Sequence, residues 1–413
     1  MNNSSNPAKA THWSNLRDEC AFLWTQRERA VHAPNLRLIN LGRNDDRLDA
    51  YLDALRPATK LVLASEPDSV PGLLFCDTFL AIEAGDPDAI GSPTCMSEPR
   101  AVIAALCLAQ QSAAAVAIDR LRGKAAPESQ ALALAVAGGR RRSPRGALDQ
   151  ALAHSDAGVR ARAHRAVGQL GLIDLRPHVV SALMDEDPEC RFWSAWAATR
   201  MGATEPLDTL ADIAWNNLPR ADRALDLLLR RLDVPQANDW LRAFANLPDR
   251  QRSLIRATGV IGDPLYIPWL IEHMADPATA RVAGESFSMI TGLDLAYRDL
   301  DRRAPPDFES GPNDDPTDEN VALDEDENLP WPDLARIGQW WTANRARFTS
   351  GTAYFLGAPK QSADWLEALS NAFQRQRHAA ALEMAIRQPD KPLFEVRARG
   401  RWQRQLLAQM RQP

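Results

Sequence analysis

One pattern is written twice between Leu152 and Gly202, and it limits what the chain can fold into more than any other feature. The first copy runs Asp156-Ala157-Gly158-Val159-Arg160, then Ala163, Ala166 and Val167, and ends at Gly171. The second runs Asp187-Pro188-Glu189-Cys190-Arg191, then Ser194, Ala197 and Ala198, and ends at Gly202. The Asp, Arg and Gly positions each keep an offset of 31 residues. Three residue types holding one offset mark a helix–turn–helix unit repeated along the chain. Each Asp stands before an apolar periodic run, where a carboxylate caps the open N–H groups of a new helix. Each Gly follows the last periodic residue, where a helix end commonly turns through φ > 0. Pro177 lies just inside the next helix, where its missing N–H costs little. One such pair cannot cover its own apolar stripe, so stacked neighbours must cover it.

The repeat extends in both directions. Helical runs are expected at residues 72–84, 101–109, 113–121 and 129–137, the last ending at Gly138-Gly139. Gly139 lies 32 residues before Gly171. Forward, residues 225–232, 254–261 and 282–290 carry the same periodicity, with Gly262 and Gly292 after the last two. No strand-like alternation of useful length interrupts residues 71–293. The expected fold class is all-α: an α-solenoid of short helix pairs. Residues 1–65 read as an N-terminal helical cap, with residues 1–12 disordered and helices over 16–31 and 45–55.

The composition changes at Asp301. Residues 301–333 hold twelve acidic side chains against Arg302 and Arg303, with six prolines. A regular helix is excluded over most of residues 294–333, an acidic Pro-rich segment. Residues 334–413 form a basic helical region with thirteen Lys/Arg and five Asp/Glu. Its helices are expected at 334–344, 364–373, 377–386 and 394–410, with a short strand or turn at 351–356. Opposite charges this close along a chain attract. The acidic segment is therefore expected to lie on the C-terminal helices, with Trp331 as an apolar anchor. The expected counter-charges are Arg375, Arg377, Arg397, Arg399 and Arg401.

The whole chain has 413 residues and a net charge of −6, which argues against wholesale nucleic-acid binding. Five scattered cysteines form no Cys-x-x-Cys pair. That pattern suits buried thiols in a reducing compartment and offers no zinc site. The first ten residues lack the apolar stretch of a signal peptide. Residues 101–118 are too polar and too short to span a bilayer. The expectation is a cytoplasmic protein with no membrane partner.

Chemistry-bearing motifs are few. Asp324-Glu325-Asp326-Glu327-Asn328 begins like a calcium loop, but Leu329 replaces the turn glycine and Ala335 the twelfth-position Glu. Seven dispersed histidines include no His-Glu dipeptide, and no nucleophile elbow or phosphate loop is present. No cofactor and no catalytic residue is expected. Arg140, Arg141, Arg142 and Arg145 form the densest basic run, read as a solvated loop in preference to a phosphate contact. The repeat's Asp/Arg pairs read as a ladder of caps in preference to a ligand row. Trp193 and Trp196 stand i, i+3 on an inner helix, either as core filling or as an aromatic binding spot.

The repeats resemble short HEAT-type repeats. The ends resemble something narrower. Phe22-Leu23-Trp24-Thr25-Gln26-Arg27 with Leu41, Arg47-Leu48 and Leu52-Asp53-Ala54-Leu55 form one block. Thr291–Asp294, Gly311–Pro316, Asp324–Asn328 with Leu329-Pro330-Trp331-Pro332, and Trp340-Trp341 form the other. Both are similar to an uncharacterised bacterial HEAT-like-repeat family often encoded beside type VI secretion genes. Tyr51-Leu52-Asp53 stands where members often have His-Leu-Asp, so no histidine role carries over. The resemblance implies a genomic setting and a protein partner, a secretion effector or spike component. The expected function is a non-catalytic interaction scaffold, an adaptor or chaperone for effectors. Two alternatives stay open: an immunity protein that occludes a toxin, and an enzyme with an unrecognised site near the acidic loop. The candidate partner-binding residues are Trp193, Trp196, Trp331, Trp340, Trp341, Asp324 and Asp326.

Overall fold

Asp156 accepts a hydrogen bond from the Val159 N–H at 3.0 Å, and Asp187 accepts one from Cys190 at 2.8 Å. Both repeat aspartates thus cap helices in the computed structural model. The structure describes residues 7–63, 69–86, 90, 93–144, 146–306, 308, 311 and 324–412. These fall into two compact units. One holds the chain up to Thr209 together with Trp365 onward, and the other holds Leu210–Asp364.

The first unit begins with α1 (Pro7–Ala30), α2 (Leu38–Leu55), α3 (Thr59–Val62), α4 (Pro71–Glu83), α5 (Pro93–Ser97) and α6 (Pro99–Leu108). It continues through α7 (Gln111–Gly123), α8 (Pro127–Gly139), α9 (Ala147–Leu152), α10 (Ala157–Leu170), α11 (Arg176–Ser181) and α12 (Pro188–Arg200). Helices α1, α4, α6, α8, α10 and α12 stack in sequence as an inner row. Helices α2, α7, α9 and α11 pack against that row from outside. The small repeat residues Ala163, Ala166 and Ala197 are fully buried between the inner helices. Trp24 stacks on Phe75 at 5.2 Å, joining α1 to α4 in one apolar cluster. Residues 7–12 are helical, against the expected disorder, because α1 runs on from Pro7. Residues 1–6 lie outside the described residues.

Helix α13 (Leu207–Trp215) spans the boundary between the units. The second unit contains α14 (Ala221–Arg231), α15 (Val234–Phe244), α16 (Gln251–Ile261), α17 (Ile267–His273), α18 (Ala280–Thr291) and α19 (Leu334–Asn344). Here α14, α16 and α18 form the inner row, with α15 on α16 and α17 on α18. Strand β1 (Asp301–Arg302) pairs antiparallel with β2 (Trp331–Pro332), Arg302 opposite Trp331. Strand β3 (Tyr354–Phe355) pairs with β4 (Ala358–Pro359), where a short strand or turn is expected. Between residues 71 and 293 no β-strand occurs among the described residues. The architecture is an all-α solenoid of short helix pairs.

The chain then returns to the first unit with α20 (Trp365–Asn371), α21 (Gln374–Arg387) and α22 (Gly400–Met410). Helices α20 and α22 pack on α2.

The glycines Gly171, Gly202, Gly262 and Gly292 close their helices with φ between 69° and 92°. Gly139 breaks the rule, although its spacing fits. It is the last residue of α8, and Arg141 takes the left-handed turn at φ 55°. A β-carbon on Gly139 would lie 2.8 Å from Cys107 Sγ, so this glycine admits a neighbouring helix instead of reversing the chain.

Candidate functional site

The repeat arginines are internal fasteners. Arg160 Nη1 donates to the carbonyls of His154 and Ser155, both at 2.9 Å. Arg191 Nη1 donates to Asp185 and Glu186, at 2.7 and 2.9 Å, one repeat later. Arg160 also reaches forward to the Asp185 carboxylate with two 2.8 Å bonds. That pairing raises the Arg160 pKa and lowers that of Asp185. The Asp/Arg row is therefore a ladder between repeats, as the spacing implies.

A strap of residues 389–399 runs along the carboxyl ends of the inner helices in the first unit. Arg200, at the end of α12, donates to the carbonyls of Pro389, at 3.1 Å, and Lys391. The Leu393 N–H donates to Gln169 O in α10 at 2.8 Å. Arg141, just past α8, donates to Leu393 O and pairs with the Glu395 carboxylate at 3.2 Å. Arg399 donates to Leu108 O at the end of α6 at 2.7 Å and pairs with Asp49 of α2. Gly400 N donates to Asp45 at 2.6 Å, and Asp45 is held by Arg27 of α1 at 2.5 Å. Helix carboxyl ends carry unsatisfied carbonyls and a partial negative charge, so a row of arginines there is favoured twice over. The same end of α8 carries Arg140, which donates to the carbonyls of Leu106 and Ala109 at the end of α6.

Burial sets the electrostatics of this track. It pushes the Arg200 pKa down to about 10, with Arg141 adding to the effect, and lowers those of Arg140 and Arg141. Burial alone would raise the Glu395 carboxyl. Arg397 and Arg141 override it and hold the group well below the usual carboxylate range.

The second unit repeats the device. Tyr354 N donates to Gly262 O at 2.8 Å, past the end of α16. Leu356 N and Gly357 N donate to Met289 O and Ile290 O, at 2.8 and 3.0 Å, at the end of α18. Lys360 Nζ donates to Val260 O at 2.8 Å. In both units the repeat glycine makes room for this backbone. A β-carbon on Gly171 would lie 2.5 Å from Lys391 O, and one on Gly262 or Gly292 would overlap Tyr354 O or Leu356 O.

The expected partner-binding residues are engaged inside the protein. Trp193 and Trp196 are 5% and 8% exposed and meet edge to face at 5.6 Å. Trp193 also lies under Arg165, at 4.5 Å, and donates to Glu189. Trp340 meets Phe287 at 5.9 Å and Trp341 meets Phe348 at 5.6 Å, both half-buried at the core of the second unit. Trp331 is half-buried between Arg281, at 4.6 Å, and Phe308, at 4.7 Å. Asp324 pairs with Arg281 at 2.6 Å, and Asp326 pairs with Arg252 through bonds of 2.8 and 2.5 Å. Both carboxylates that begin the calcium-like run are therefore committed to arginines. Among the described residues no three His, Cys, Asp or Glu side chains are grouped to hold a metal ion.

Two expectations are corrected. Asp324, Glu325 and Asp326 of the acidic segment are held by Arg252, Arg256 and Arg281 of α16 and α18, while from the basic C-terminal region Arg336 reaches Asp333 and the Asp299 carbonyl. Of the expected counter-charges, Arg377 faces Leu369 O, Gln374 and Gln403, Arg397 faces Glu395, and Arg399 and Arg401 face Asp49. Residues 312–323 lie outside the described residues. The basic run departs from a solvated loop at Arg140 and Arg141, which cap helix ends, while Arg142 is exposed. Arg145 also lies outside the described residues.

A usable signal was present for the arginines. Arg223, Arg252 and Arg281 are 29 residues apart, as are Pro219, Pro248 and Pro277. The second unit thus keeps a shorter repeat than the 31-residue one. A further group carried no spacing signal. Trp215, Trp240 and Phe244 form an aromatic cluster, with Trp215 37% exposed beside the exposed Leu218.

The stacked pairs, the capped inner helices and the Arg/Gly ladder define an α-solenoid of short helix pairs. A family model described as HEAT repeats matches residues 144–228, the stretch from α9 to α14 that contains both clear copies. No curated protein and no solved structure matches the chain. Residues 144–228 are thus similar to HEAT repeats, a class of repeat that commonly serves as a protein-interaction scaffold. Among the described residues no helix is long and apolar enough to cross a membrane.

Proposed function

We propose that the protein is a non-catalytic, cytoplasmic adaptor that holds a segment of a partner protein on its repeat array. The observation that carries this reading is the double use of the inner-helix ends. In each unit they grip a length of backbone without secondary-structure pairing to it, through Arg200 and Arg141 in one and Gly262, Met289 and Ile290 in the other. A surface that already binds backbone along several repeats is suited to holding another chain. The resemblance of both end blocks to a family encoded beside type VI secretion genes supports a secretion effector or spike component as the partner.

The test is titration calorimetry of the purified chain against effector N-terminal segments, spike-tip proteins and toxin domains from one type VI gene cluster. A saturable 1:1 complex with an effector segment or spike tip is expected. A complex with a toxin domain that abolishes its activity would replace the adaptor with an immunity function. Turnover of a substrate by the chain alone would overturn the non-catalytic reading.

A further inference from the structure

The second unit carries an aromatic surface at the carboxyl ends of the helices outside its inner row. Trp215 ends α13, Phe244 ends α15 and His273 ends α17. One turn before the last two stand Trp240 and Trp269, each against the ring that follows it on its own helix, at 4.9 and 4.2 Å. Trp215 meets Trp240 edge on at 6.0 Å and Phe244 at 6.3 Å. Between the helices, Arg250 lies over Phe244 at 5.8 Å and Gln251 touches His273 at 3.3 Å. The rings thus form one run across α13, α15 and α17. Trp215 and Leu218 are 37% and 41% exposed, and Trp240 and Trp269 are half-buried. Gap filling between helices hides an indole more fully, as it hides Trp193 and Trp196.

Arg250 gives this run an open charge. The residue is half-buried, and its Nε is out of water with no hydrogen-bond partner. Its Nη2 is 3.5 Å from the Trp215 carbonyl, at the long end of a hydrogen bond. Among the described residues no carboxylate stands in ion-pair range of it. The charges nearby are committed: Arg242 pairs with Asp239 at 2.8 Å, and Asp212 accepts from Asn216 at 2.7 Å. A partly desolvated cation without a counter-charge is what a partner's carboxylate complements.

We infer that this surface docks a proline-rich partner segment in polyproline II form, with an Asp or Glu that pairs with Arg250. Helices packed side by side stand about 8–10 Å apart. One turn of polyproline II is three residues and about 9 Å. Prolines three residues apart therefore meet rings on neighbouring helices in phase. The segment is extended before it binds, so little order is lost on docking against aromatic side chains. Its carbonyls are free, unlike those of a helix, and Arg250 and Gln251 carry N–H donors beside the rings. This rests on the adaptor reading and gives the partner segment a chemistry and a place on the outer helices.

Three fluorescein-labelled peptides are titrated against the full-length protein by anisotropy: four repeats of Pro-Pro-Glu, four of Pro-Pro-Gln and four of Ala-Ala-Glu. The first is expected to bind saturably, and each of the others about tenfold more weakly. Trp215→Ala should weaken the Pro-Pro-Glu peptide by about tenfold. Arg250→Gln should erase its advantage over the Pro-Pro-Gln peptide and keep its advantage over the Ala-Ala-Glu peptide. A general loss of stability would not produce that split. If either variant does not fold, Leu218→Glu decides. Leu218 is exposed in the loop after α13, and the added carboxylate should repel the Pro-Pro-Glu peptide more than the Pro-Pro-Gln one.

No saturable binding of the Pro-Pro-Glu peptide, equal binding of either comparison peptide, or indifference to both Trp215→Ala and Leu218→Glu overturns the surface. If the Pro-Pro-Glu peptide fails while an effector segment still forms its 1:1 complex, the surface is lost and the adaptor stands. If it binds while every effector segment and spike tip fails, the surface stands and the adaptor falls.

Discussion

The carbonyl oxygen of Lys391 rests against the α-carbon of Gly171, 220 residues earlier in the chain, at a point where a β-carbon would come within 2.5 Å of it. Gly171 therefore has two reasons to be glycine: its φ of 69° and the strap beside it. Gly202 has only the first. It has a φ of 92°, but a β-carbon there meets nothing nearer than Arg176 Nη1 at 3.9 Å. A side chain in the left-handed region costs about 1 kcal/mol. Gly202→Ala is expected to lose that amount in urea unfolding. Gly171→Ala should lose about 2–4 kcal/mol, because overpacking against backbone adds to it. Equal losses would mean that the strap does not bear on the helix end.

The ladder makes a second comparison. Asp156 and Asp187 do the same task one repeat apart, so Asp156→Ala and Asp187→Ala should each cost about 1 kcal/mol. Asp185 does more. It accepts from the Asp187 N–H at 2.9 Å and binds Arg160 twice, at 10% side-chain exposure. Asp185→Ala should cost about 1–3 kcal/mol, since it strips a charged donor pair of its acceptor. A cost no greater than that of Asp156→Ala would remove the inter-repeat bond from the account of stability.

How much of this was legible follows from distance along the chain. The caps at Asp156 and Asp187 and the left-handed Gly171 and Gly202 are local consequences of a helix starting or stopping. A repeated spacing exposes them without knowledge of the fold. The strap is different. Nothing near Lys391 announces that it meets Gly171, and nothing in Arg140-Arg141-Arg142 announces that the carbonyls at the end of α6 and residues of the strap await them. Charge counting failed for a related reason. It pairs the acidic segment with the basic tail because both are near in sequence, whereas topology puts Asp326 on Arg252, 74 residues back. The partner-binding expectation for Trp193 and Trp196 rested on residue type, and periodicity alone does not separate an aromatic that fills a gap between helices from one that faces a partner.

Acid should act through His164 before it acts through the carboxylates. The His164 ring is fully buried in α10, and neither nitrogen has a hydrogen-bond partner. Burial pushes its pKa down to about 4; Asp185 opposes this and Arg160 adds to it. The unfolded chain takes up a proton near pH 6.5 and the folded one only near 4, so the unfolded state binds more protons between those values. The folded state therefore loses stability as pH falls from about 6.5 to about 4, by on the order of 3 kcal/mol for this group. His378, pushed down to about 4 by burial and by His32, acts in the same direction and window. Asp185 and Glu395, whose carboxyls are lowered, add their loss only below the ordinary carboxylate range. Urea midpoints of wild type and His164→Gln between pH 7 and 4 check this. The variant's slope should be shallower, and parallel curves would show that His164 does not titrate on unfolding.

Asp326 and Glu325 are neighbours that both face Arg252, yet they should behave oppositely. The Asp326 residue is 3% exposed, and its carboxylate takes two bonds from Arg252. Its backbone carbonyl receives Arg281 at 3.0 Å, and its N–H donates to Asp324 at 2.9 Å. Glu325 holds Arg252 and Arg256 at 3.1 and 3.2 Å, but its side chain is 67% exposed. An exposed pair is worth at most about 1 kcal/mol and is screened by salt, while breaking a buried one leaves an uncompensated charge. Arg252 is itself a third exposed, which keeps the loss below that of a fully buried pair. Asp326→Ala is expected to cost about 2 kcal/mol, nearly the same at roughly 0.05 and 0.5 M salt, because water and ions do not reach the carboxylate. Glu325→Ala should cost about 0.5 kcal/mol or less at low salt and nothing measurable at high salt. Trp331→Ala gives the internal control: it removes the ring between Arg281 and Phe308 but no charge, so its cost should not depend on salt. If Asp326→Ala and Glu325→Ala lose stability equally, or if both losses vanish at high salt, then the acidic run is held by long-range attraction and not by the built contacts on α16 and α18.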